Sequence, residues 1–237
     1  MKIKCLFSYF NLTEKLLWSF SVIAIITSFL IFDKGNYLTL IASLIGVTSL
    51  IFCAKGNPIG QVLMIFFSLI YSIISFSFQY YGEMITYLGM TLPMAIISLI
   101  VWLKNPFGNK KSEVAVNRIT LKEVIFMIIL SGMVTLLFFF ILKYFKTSNI
   151  IPSTISITTS FIAAYLTFRR NPFFALAYAS NDVVLIILWI LAALKETSYI
   201  SVVICFIVFL INDLYGFISW LRMQKRQEKN YKKLLDY

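Results

Sequence analysis

Long apolar runs alternate with short polar links over most of the chain. Eight runs approach the length of about 20 residues that a helix needs to cross the bilayer core. The links contain helix breakers, and only the link between the fourth and fifth runs is long. The pattern predicts an all-α membrane protein with eight transmembrane helices, at Leu16–Phe32, Tyr37–Ala54, Pro58–Phe78, Met84–Leu103, Val124–Phe145, Thr154–Phe168, Pro172–Leu194 and Tyr199–Trp220.

The composition agrees with a membrane protein and excludes several other classes. Apolar residues make up 60% of the 237, charged residues only 13%, and the mean hydropathy is +0.88. A soluble domain is about a quarter charged and under half apolar, so a soluble enzyme, a disordered regulator and a secreted disulfide scaffold are excluded. The three cysteines lie far apart and histidine is absent, which leaves no metal-binding spacing and predicts no cofactor.

The net charge of +11 reflects how basic residues are divided between the two membrane faces. With eight helices, 17 of the 21 Lys and Arg residues fall in the two termini and in the second, fourth and sixth links, which share one face. Basic residues favour the cytoplasmic face. We therefore expect a multi-pass protein of a bacterial inner membrane, with both termini in the cytoplasm and with no nucleic-acid partner.

Two similar segments predict an internal repeat. Gly56-Asn57-Pro58 precedes the third run and Arg170-Asn171-Pro172 the seventh, while Trp102 and Trp220 close the fourth and eighth. Each unit then has three helices, and one connecting helix keeps the units parallel, as in a known plan of secondary transporters. The predicted division is 1–36 for the N-terminal tail and an extra helix, 37–103 for the first unit, 104–153 for a cytoplasmic loop and the connecting helix, 154–221 for the second unit, and 222–237 for a basic cytoplasmic tail.

Polar side chains inside the predicted helices are candidates for a binding site. A charged group at mid-membrane costs about 2.5–3.5 kcal/mol on insertion scales, yet the seventh run contains Asn181-Asp182 and the eighth Asn212-Asp213. Helical spacing groups them with aromatic residues, which predicts a small cavity for a planar, hydrogen-bonding ligand. The predicted substrate-binding residues are Gln61, Tyr71, Gln79, Tyr178, Asn181, Asp182, Trp189, Asn212 and Tyr215, and the predicted gating residues are Tyr81, Glu83 and Gly216.

Structural roles remain open for some of these positions. Serine and asparagine side chains in membrane helices also bond neighbouring helices, and Asp213 could pair with the basic Arg222. Trp102 and Trp220 stand at helix ends, where an aromatic belt is expected. The basic segment that begins at Arg222 is expected to form a solvated helix on anionic lipid.

Several short motifs are specific only when they are taken together, and the similarity that they indicate runs from about Ser43 to Arg222. They are Gln79-Tyr80-Tyr81-Gly82-Glu83-Met84, Leu92-Pro93-Met94 with Trp102, and Asn212-Asp213-Leu214-Tyr215-Gly216 with Trp220. The set resembles the PnuC family of vitamin transporters. The resemblance implies a SWEET-like pair of three-helix units and facilitated diffusion of a nucleoside-like vitamin, nicotinamide riboside in the best-known branch. It also implies a homotrimer and a cytosolic kinase that traps the imported substrate by phosphorylation.

The family's signature in the seventh helix is only partly present. It consists of two tryptophans three residues apart and then Asn or Asp after three more, whereas this chain has Ala175, Tyr178 and Asn181. A (deoxy)nucleoside or another vitamin, such as thiamine, is therefore an alternative substrate. A second alternative is the substrate-binding subunit of an ATP-driven importer. An enzyme is disfavoured because the sequence offers no nucleophile–base pair and no cluster of metal ligands.

Overall fold

The computed structural model describes residues 9–77, 81–108, 110–147 and 149–235. Within these ranges eight helices are long and apolar enough to cross a membrane, which confirms the number that the hydrophobic pattern predicts. They are α1 (Leu12–Phe32), α2 (Tyr37–Ala54), α3 (Ile59–Ser77), α4 (Tyr81–Lys104), α5 (Leu121–Tyr144), α6 (Ile150–Phe168), α7 (Phe173–Ala193) and α8 (Ile200–Leu235), with a 3-10 turn at Thr197–Tyr199 before α8.

Four helices, α1, α4, α5 and α6, begin three or four residues earlier than the apolar pattern predicts, and α1 and α6 differ the most. α1 begins at Leu12 rather than Leu16 because Asn11 and Glu14 form a capping box. The Asn11 side chain accepts a hydrogen bond from the Glu14 backbone N–H, and the Glu14 carboxylate accepts one from the Asn11 backbone N–H, both at 2.8 Å. α6 begins at Ile150 rather than Thr154, which gives the short, threonine-rich sixth run enough length to cross the bilayer.

α4 is not a uniform α-helix. Its first segment (Tyr81–Thr86) is followed by a π-helical turn (Tyr87–Thr91) and then by a second α-helical segment (Leu92–Lys104). Pro93 lies at the start of the second segment, where its ring and missing N–H disfavour a regular helix on its N-terminal side. The hydrophobic pattern predicts one plain helix here, so the π turn is a new feature, of a kind that is frequent at functional sites.

The helices form two groups of three. In one group α3 packs against α2 and α4, and in the other α7 packs against α6 and α8. The groups contact each other through α8 against α2 and through α4 against α6. α1 packs against α2 and α8, while α5 packs mainly against α6 and leaves much of its apolar surface exposed, as expected for a helix that faces lipid.

The second, fourth and sixth links meet at one face of the bundle. The fourth link contains a short antiparallel strand pair, β1 (Pro106–Phe107) and β2 (Lys110–Val114), where the sequence predicts only a loop. Val114 N–H donates to the Gly56 carbonyl at 2.9 Å, and Asn117 N–H donates to the Arg170 carbonyl at 3.0 Å. These three links therefore share one face, the face that the distribution of basic residues assigns to the cytoplasm.

Trp102 and Trp220 do not form the interfacial belt that their positions at helix ends predict. Their exposed fractions are 1% and 0%, and they lie in a buried cluster with Phe174 and Tyr165. Each indole N–H bonds a backbone carbonyl inside the protein. They are therefore part of the core at this face of the bundle.

The basic tail differs from the solvated helix on lipid that we expect from its charge. α8 continues through Arg222 without a break. The buried Gln227 side chain donates to the Val114 carbonyl at 3.0 Å and accepts from the Val116 N–H at 2.8 Å. The tail is therefore docked on the fourth link.

Candidate functional site

A cavity lies between the two groups of helices, in the middle of the bundle. Its volume is about 50 Å³, far below the roughly 300–1,000 Å³ of typical pockets for small molecules. A nucleoside-sized molecule therefore requires the surrounding helices to move apart. The lining residues come from six helices and are Leu50, Met64, Phe67, Tyr87, Thr91, Ser160, Tyr178, Asn181, Asp182, Leu185, Phe206, Phe209 and Asp213.

Two carboxyl groups meet in this cavity. Asp182 on α7 and Asp213 on α8 are 4% and 6% exposed, and their side chains lie within hydrogen-bonding contact. The Oδ2 atom of Asp182 has no hydrogen-bond partner among the described residues. The described lining contains neither Lys nor Arg, so the cavity is acidic and apolar at once. Asp213 thus faces Asp182 instead of forming the pair with Arg222 that the sequence leaves open.

The side chain of Asn181 is held in a fixed orientation by α6. Its Oδ1 atom accepts hydrogen bonds from the hydroxyls of Ser156, at 3.0 Å, and Thr159, at 2.9 Å. Because the carbonyl end is occupied, the amide nitrogen remains the available end of the side chain. Asn181 can therefore offer an N–H donor to a ligand.

Aromatic rings form much of the cavity wall. Tyr178 lies one turn before Asp182 on α7, and Tyr87 reaches the cavity from the π turn of α4. The Phe67 ring lies 5.9 Å from that of Tyr87 and 5.8 Å from that of Phe209, measured between centroids. Such rings can stack on a planar ligand, and they attract a cationic ring.

Gln61 and Asn212 lie outside the described cavity lining. The Gln61 amide lies 3.4 Å from the Cys53 sulfur, where it can donate. Asn212 donates to the Ser21 hydroxyl at 2.9 Å and to the Val208 carbonyl at 2.8 Å. Both side chains are buried, and Asn212 links α8 to α1. These contacts favour the structural role that the sequence leaves open for an intramembrane asparagine.

Tyr71 and Trp189 lie beside the cavity. The Tyr71 ring lies 4.4 Å from that of Tyr87, and its hydroxyl contacts the Trp189 indole. Trp189 also packs against Tyr199 at 5.4 Å. The two residues therefore support the cavity wall through Tyr87. Gln79, the remaining predicted binding residue of this region, lies outside the described residues.

Tyr215 lies near the middle of α8, in a polar network with the start of α1. Its hydroxyl donates to Glu14 at 3.3 Å, and Asn11 donates to it at 3.5 Å. Lys55 forms an ion pair with Glu14 at 3.0 Å and lies 4.7 Å from the Tyr9 ring centroid. Burial raises the pKa of Tyr9, so its phenol remains neutral. This network joins the N-terminal segment to α2 and α8, away from the cavity.

The predicted gating residues Tyr81 and Glu83 lie at the opposite face. The Tyr81 ring packs 6.2 Å from that of Phe145. Glu83 is buried and lines a second small cavity with Thr147 and Lys195, between α4, α7 and the link before α6. Side chains of α4, of α7 and of the link between α5 and α6 thus pack together at the face that the charge distribution assigns to the outside.

Gly216 and Ala175 lie where helices pack closely. A Cβ atom on Gly216 would lie 3.7 Å from the Ala175 Cβ and 3.8 Å from the Ala54 Cβ. Ala175 belongs to the cluster that contains Trp102 and Trp220, and it is absent from the described cavity lining. At position 175, where the family signature has a tryptophan, this chain therefore has a small alanine that packs in the core.

Several lining residues were not among the predicted ones. They are Leu50, Met64, Phe67, Tyr87, Thr91, Ser160, Leu185, Phe206, Phe209 and Asp213. Pro93 is a sequence signal for the irregular turn that brings Tyr87 and Thr91 to the cavity. Asp213 could also have been identified from the sequence, since an acidic residue in a membrane helix is a functional candidate by itself.

A bundle of membrane-crossing helices in two groups of three, with a polar cavity between them, is the architecture of a membrane transporter. The family model described as nicotinamide mononucleotide transporter matches residues 36–222, and the chain belongs to this family. Family membership confirms the resemblance seen in the motifs, and it identifies the protein as a transporter and not an enzyme.

Two curated relatives and one solved structure are similar to the chain. It is 22% identical over 214 residues to the nicotinamide riboside transporter PnuC of Neisseria mucosa, which covers 88% of this chain and 81% of the relative. It is 23% identical over 192 residues to PnuC of Haemophilus influenzae, with coverages of 81% and 82%. The crystal structure of a vitamin B3 transporter PnuC matches with a TM-score of 0.80 at 20% identity, over 92% of this chain and 94% of that one. It shows the same fold.

Proposed function

We propose that this protein imports a nucleoside-like molecule, nicotinamide riboside, through the central cavity. The observation that carries the proposal is an aromatic, acidic cavity whose described lining contains no Lys or Arg. Nicotinamide riboside combines a positively charged pyridinium ring, a carboxamide and a ribose. The similar proteins of Neisseria mucosa and Haemophilus influenzae are named for this substrate.

Each part of such a substrate has a suitable partner in the cavity. Asp182 and Asp213 supply negative charge for the pyridinium ring, and the Tyr178 face can stack on it. The free amide end of Asn181 can donate to the carboxamide oxygen or to a ribose hydroxyl. A cavity of this composition favours a cationic ring over a neutral one.

The same charges disfavour a phosphorylated substrate. A mononucleotide would add a phosphate with about two negative charges at neutral pH, close to the carboxyls of Asp182 and Asp213. Like charges in such proximity cost several kcal/mol. The nucleoside is therefore the better substrate for this chain, although the family is described by the mononucleotide.

Transport itself proceeds by facilitated diffusion in this proposal. Because the cavity is small, the two helix groups must rock apart to admit the substrate from either face. A cytosolic kinase then phosphorylates the product, and the new phosphate prevents its return. The protein lies in a bacterial inner membrane with both termini in the cytoplasm, and it assembles as a homotrimer, as the family resemblance implies.

Thiamine is a second candidate substrate. It carries a permanent positive charge on an aromatic ring and has no phosphate, so the carboxyl pair of Asp182 and Asp213 suits it as well. A neutral nucleoside lacks that attraction and is a weaker candidate.

Titration calorimetry on the purified full chain in detergent tests the proposal. The ligands are nicotinamide riboside, thiamine, uridine and nicotinamide mononucleotide. We expect saturable binding of a cationic ligand, with the mononucleotide weaker by about tenfold or more because of charge repulsion. Asp182→Asn should weaken the cationic ligand, whereas Ser180→Ala, whose exposed side chain only bonds its own helix, should not. Mononucleotide binding as tight as that of the nucleoside would refute the proposed role of the cavity.

A further inference from the structure

A groove lies between α1 and α2, apart from the central cavity. Its volume is about 150 Å³, and among the described residues it shares none of its lining with the central cavity. The lining residues are Phe10, Glu14, Lys15, Trp18, Ser19, Thr48, Ile51 and Phe52. Both helices are long and apolar enough to cross the membrane, so most of the groove lies where lipid, and not water, is the solvent.

The wall of the groove suits a hydrocarbon chain. The rings of Phe10 and Phe52 pack edge to face, with 5.2 Å between their centroids. The Trp18 indole N–H donates to the Thr48 hydroxyl at 3.2 Å, and that hydroxyl donates to the Leu44 carbonyl at 2.7 Å. These polar groups are therefore satisfied within the protein, as contact with hydrocarbon requires.

The groove begins at the level of the lipid headgroups. α1 begins at Leu12, on the face that the charge distribution assigns to the cytoplasm, and Lys15 lies close to this start. A helix rises about 1.5 Å per residue, so Trp18 lies about 4.5 Å and Ser19 about 6 Å deeper than Lys15. A lysine at such a depth covers apolar surface with its stem while its ammonium group reaches the headgroups.

The rim of the groove has an excess of positive charge. Lys15 forms no ion pair within the described part of the chain, whereas Glu14 pairs with Lys55 at 3.0 Å. A polar cavity adjoins the groove at Glu14. The charged residues that line the groove and this cavity are the basic Lys15, Lys55, Arg222 and Arg226 and the acidic Glu14 and Glu113. Basic pockets between membrane helices on the cytoplasmic side bind anionic headgroups.

We propose that this groove binds a phospholipid with an anionic headgroup, with one acyl chain between α1 and α2 and the phosphate beside Lys15. The apolar wall and the charge of the rim together select this occupant. A water-soluble anion would leave the apolar groove unfilled, and a lipid without net charge would leave the positive excess uncompensated. The site does not depend on the transported substrate, and the bound lipid bridges α1 and α2.

Trp18 makes the site measurable without a label. It is 38% exposed, whereas the other tryptophans of the chain, Trp102, Trp189 and Trp220, are at most 2% exposed. Bromine atoms on an acyl chain quench indole fluorescence only at close contact, so brominated lipid reports on Trp18. The full chain is reconstituted in phosphatidylcholine bilayers with a minor share of phosphatidylglycerol, and one of the two lipids is brominated in each preparation.

The expected result is preferential quenching by the anionic lipid. Quenching by brominated phosphatidylglycerol should exceed its share of the bilayer by about fivefold for each basic residue near the headgroup. Quenching in proportion to that share would refute the proposal. Absence of quenching by either lipid would refute it too, because protein would then cover the groove. Deletion of residues 2–8 would restore quenching if that segment is the cover, and would not if a second copy of the chain is.

Variants of Lys15 test the position of the headgroup. Lys15→Gln should lower the enrichment about fivefold, while quenching by brominated phosphatidylcholine persists and shows that the groove is intact. Lys15→Arg keeps the charge and should keep the enrichment. Lys122→Gln is the matched control, because Lys122 is an exposed lysine near the start of α5 that lines neither the groove nor the adjoining cavity. Equal enrichment in Lys15→Gln and the parent would overturn the assignment.

Trp18→Phe shows whether the signal comes from the groove. This variant should lose the preferential quenching by brominated phosphatidylglycerol, because the remaining tryptophans are buried. A preference that survives in Trp18→Phe would belong to another part of the surface and would refute the assignment to this groove.

Discussion

The indole rings of Trp102 and Trp220 lie 5.5 Å apart, and each bonds the opposite group of helices in the same way. Trp102 Nε1 donates to the Thr167 carbonyl at 2.9 Å, and Trp220 Nε1 donates to the Cys53 carbonyl at 2.8 Å. Thr167 and Cys53 each stand three residues before the start of a repeated motif, at Arg170 and Gly56. The repeat stays a prediction, and this reciprocal contact supports it.

Removing one of these indole N–H groups should destabilise the protein. Trp220→Phe keeps an aromatic ring but removes one of the donors of the buried Cys53 carbonyl, which still accepts from the Gly56 N–H at 2.9 Å. The loss of this hydrogen bond should cost about 0.5–1.5 kcal/mol. Trp18→Phe is the control, because the partly exposed Trp18 bonds only a side-chain hydroxyl. Thermal unfolding of both variants in detergent checks this. An equal effect of the two changes would show that the bond to Cys53 contributes little.

The helices could be predicted from the sequence because their apolar length is a strong signal. Every predicted span overlaps a helix of the structure. The ends of the helices were less predictable where a local contact decides them. The Asn11 side chain, for example, caps α1 and extends it beyond the apolar run. The π turn in α4 was missed because hydrophobicity does not distinguish it from an α-helix.

The cavity could be predicted only in part, because sequence shows which residues share a helix face but not what that face meets. Asn212 and Asp213 are adjacent, and about 100° of helical rotation separates them. The structure turns Asp213 to the cavity and Asn212 to Ser21 of α1. Which of the two residues faces the cavity depends on where α1 packs. Helical spacing puts Tyr178, Asn181 and Asp182 on one face of α7, and the structure places that face at the cavity.

A side chain at Gly82 should crowd Leu142 and Thr147. A Cβ atom there would lie 2.5 Å from Leu142 Cδ2 and 2.8 Å from Thr147 Oγ1, so one side of the contact must shift. We expect Gly82→Ala to lower stability by about 1–3 kcal/mol, the cost of overpacking. Gly132→Ala is the control: nothing lies within 4 Å of a Cβ at that helical position, and stability should rise by about 0.5–1 kcal/mol. Thermal unfolding measures both, and a Gly82→Ala variant as stable as the parent would contradict the prediction.

The ion pair of Lys55 with Glu14 should hold α1 to the rest of the bundle. Glu14 is only 3% exposed, so Lys55→Ala leaves its charge buried and should cost about 2–3 kcal/mol, less than for a fully buried pair because Lys55 is partly exposed. Adding Glu14→Gln should recover part of the loss.

Arg118→Ala is the control for that ion pair. It breaks an exposed ion pair with Glu228 and should cost less than about 1 kcal/mol. Unfolding in a double-mutant cycle gives the coupling energy of Lys55 and Glu14. A coupling near zero would mean that the pair does not attach α1.

Asn181 should contribute to binding through its free amide end. Asn181→Ala removes that donor and leaves the hydroxyls of Ser156 and Thr159 without their shared acceptor, so we expect the affinity for nicotinamide riboside to fall about tenfold, as for the loss of one hydrogen bond in a buried site. Asn181→Asp keeps the acceptor and removes the donor. If the Asn181 amide N–H donates to an uncharged group of the ligand, Asn181→Asp should not restore binding. If Asn181 only orients α6, Asn181→Asp should restore it. Ser180→Ala, on the adjacent exposed position, should bind like the parent.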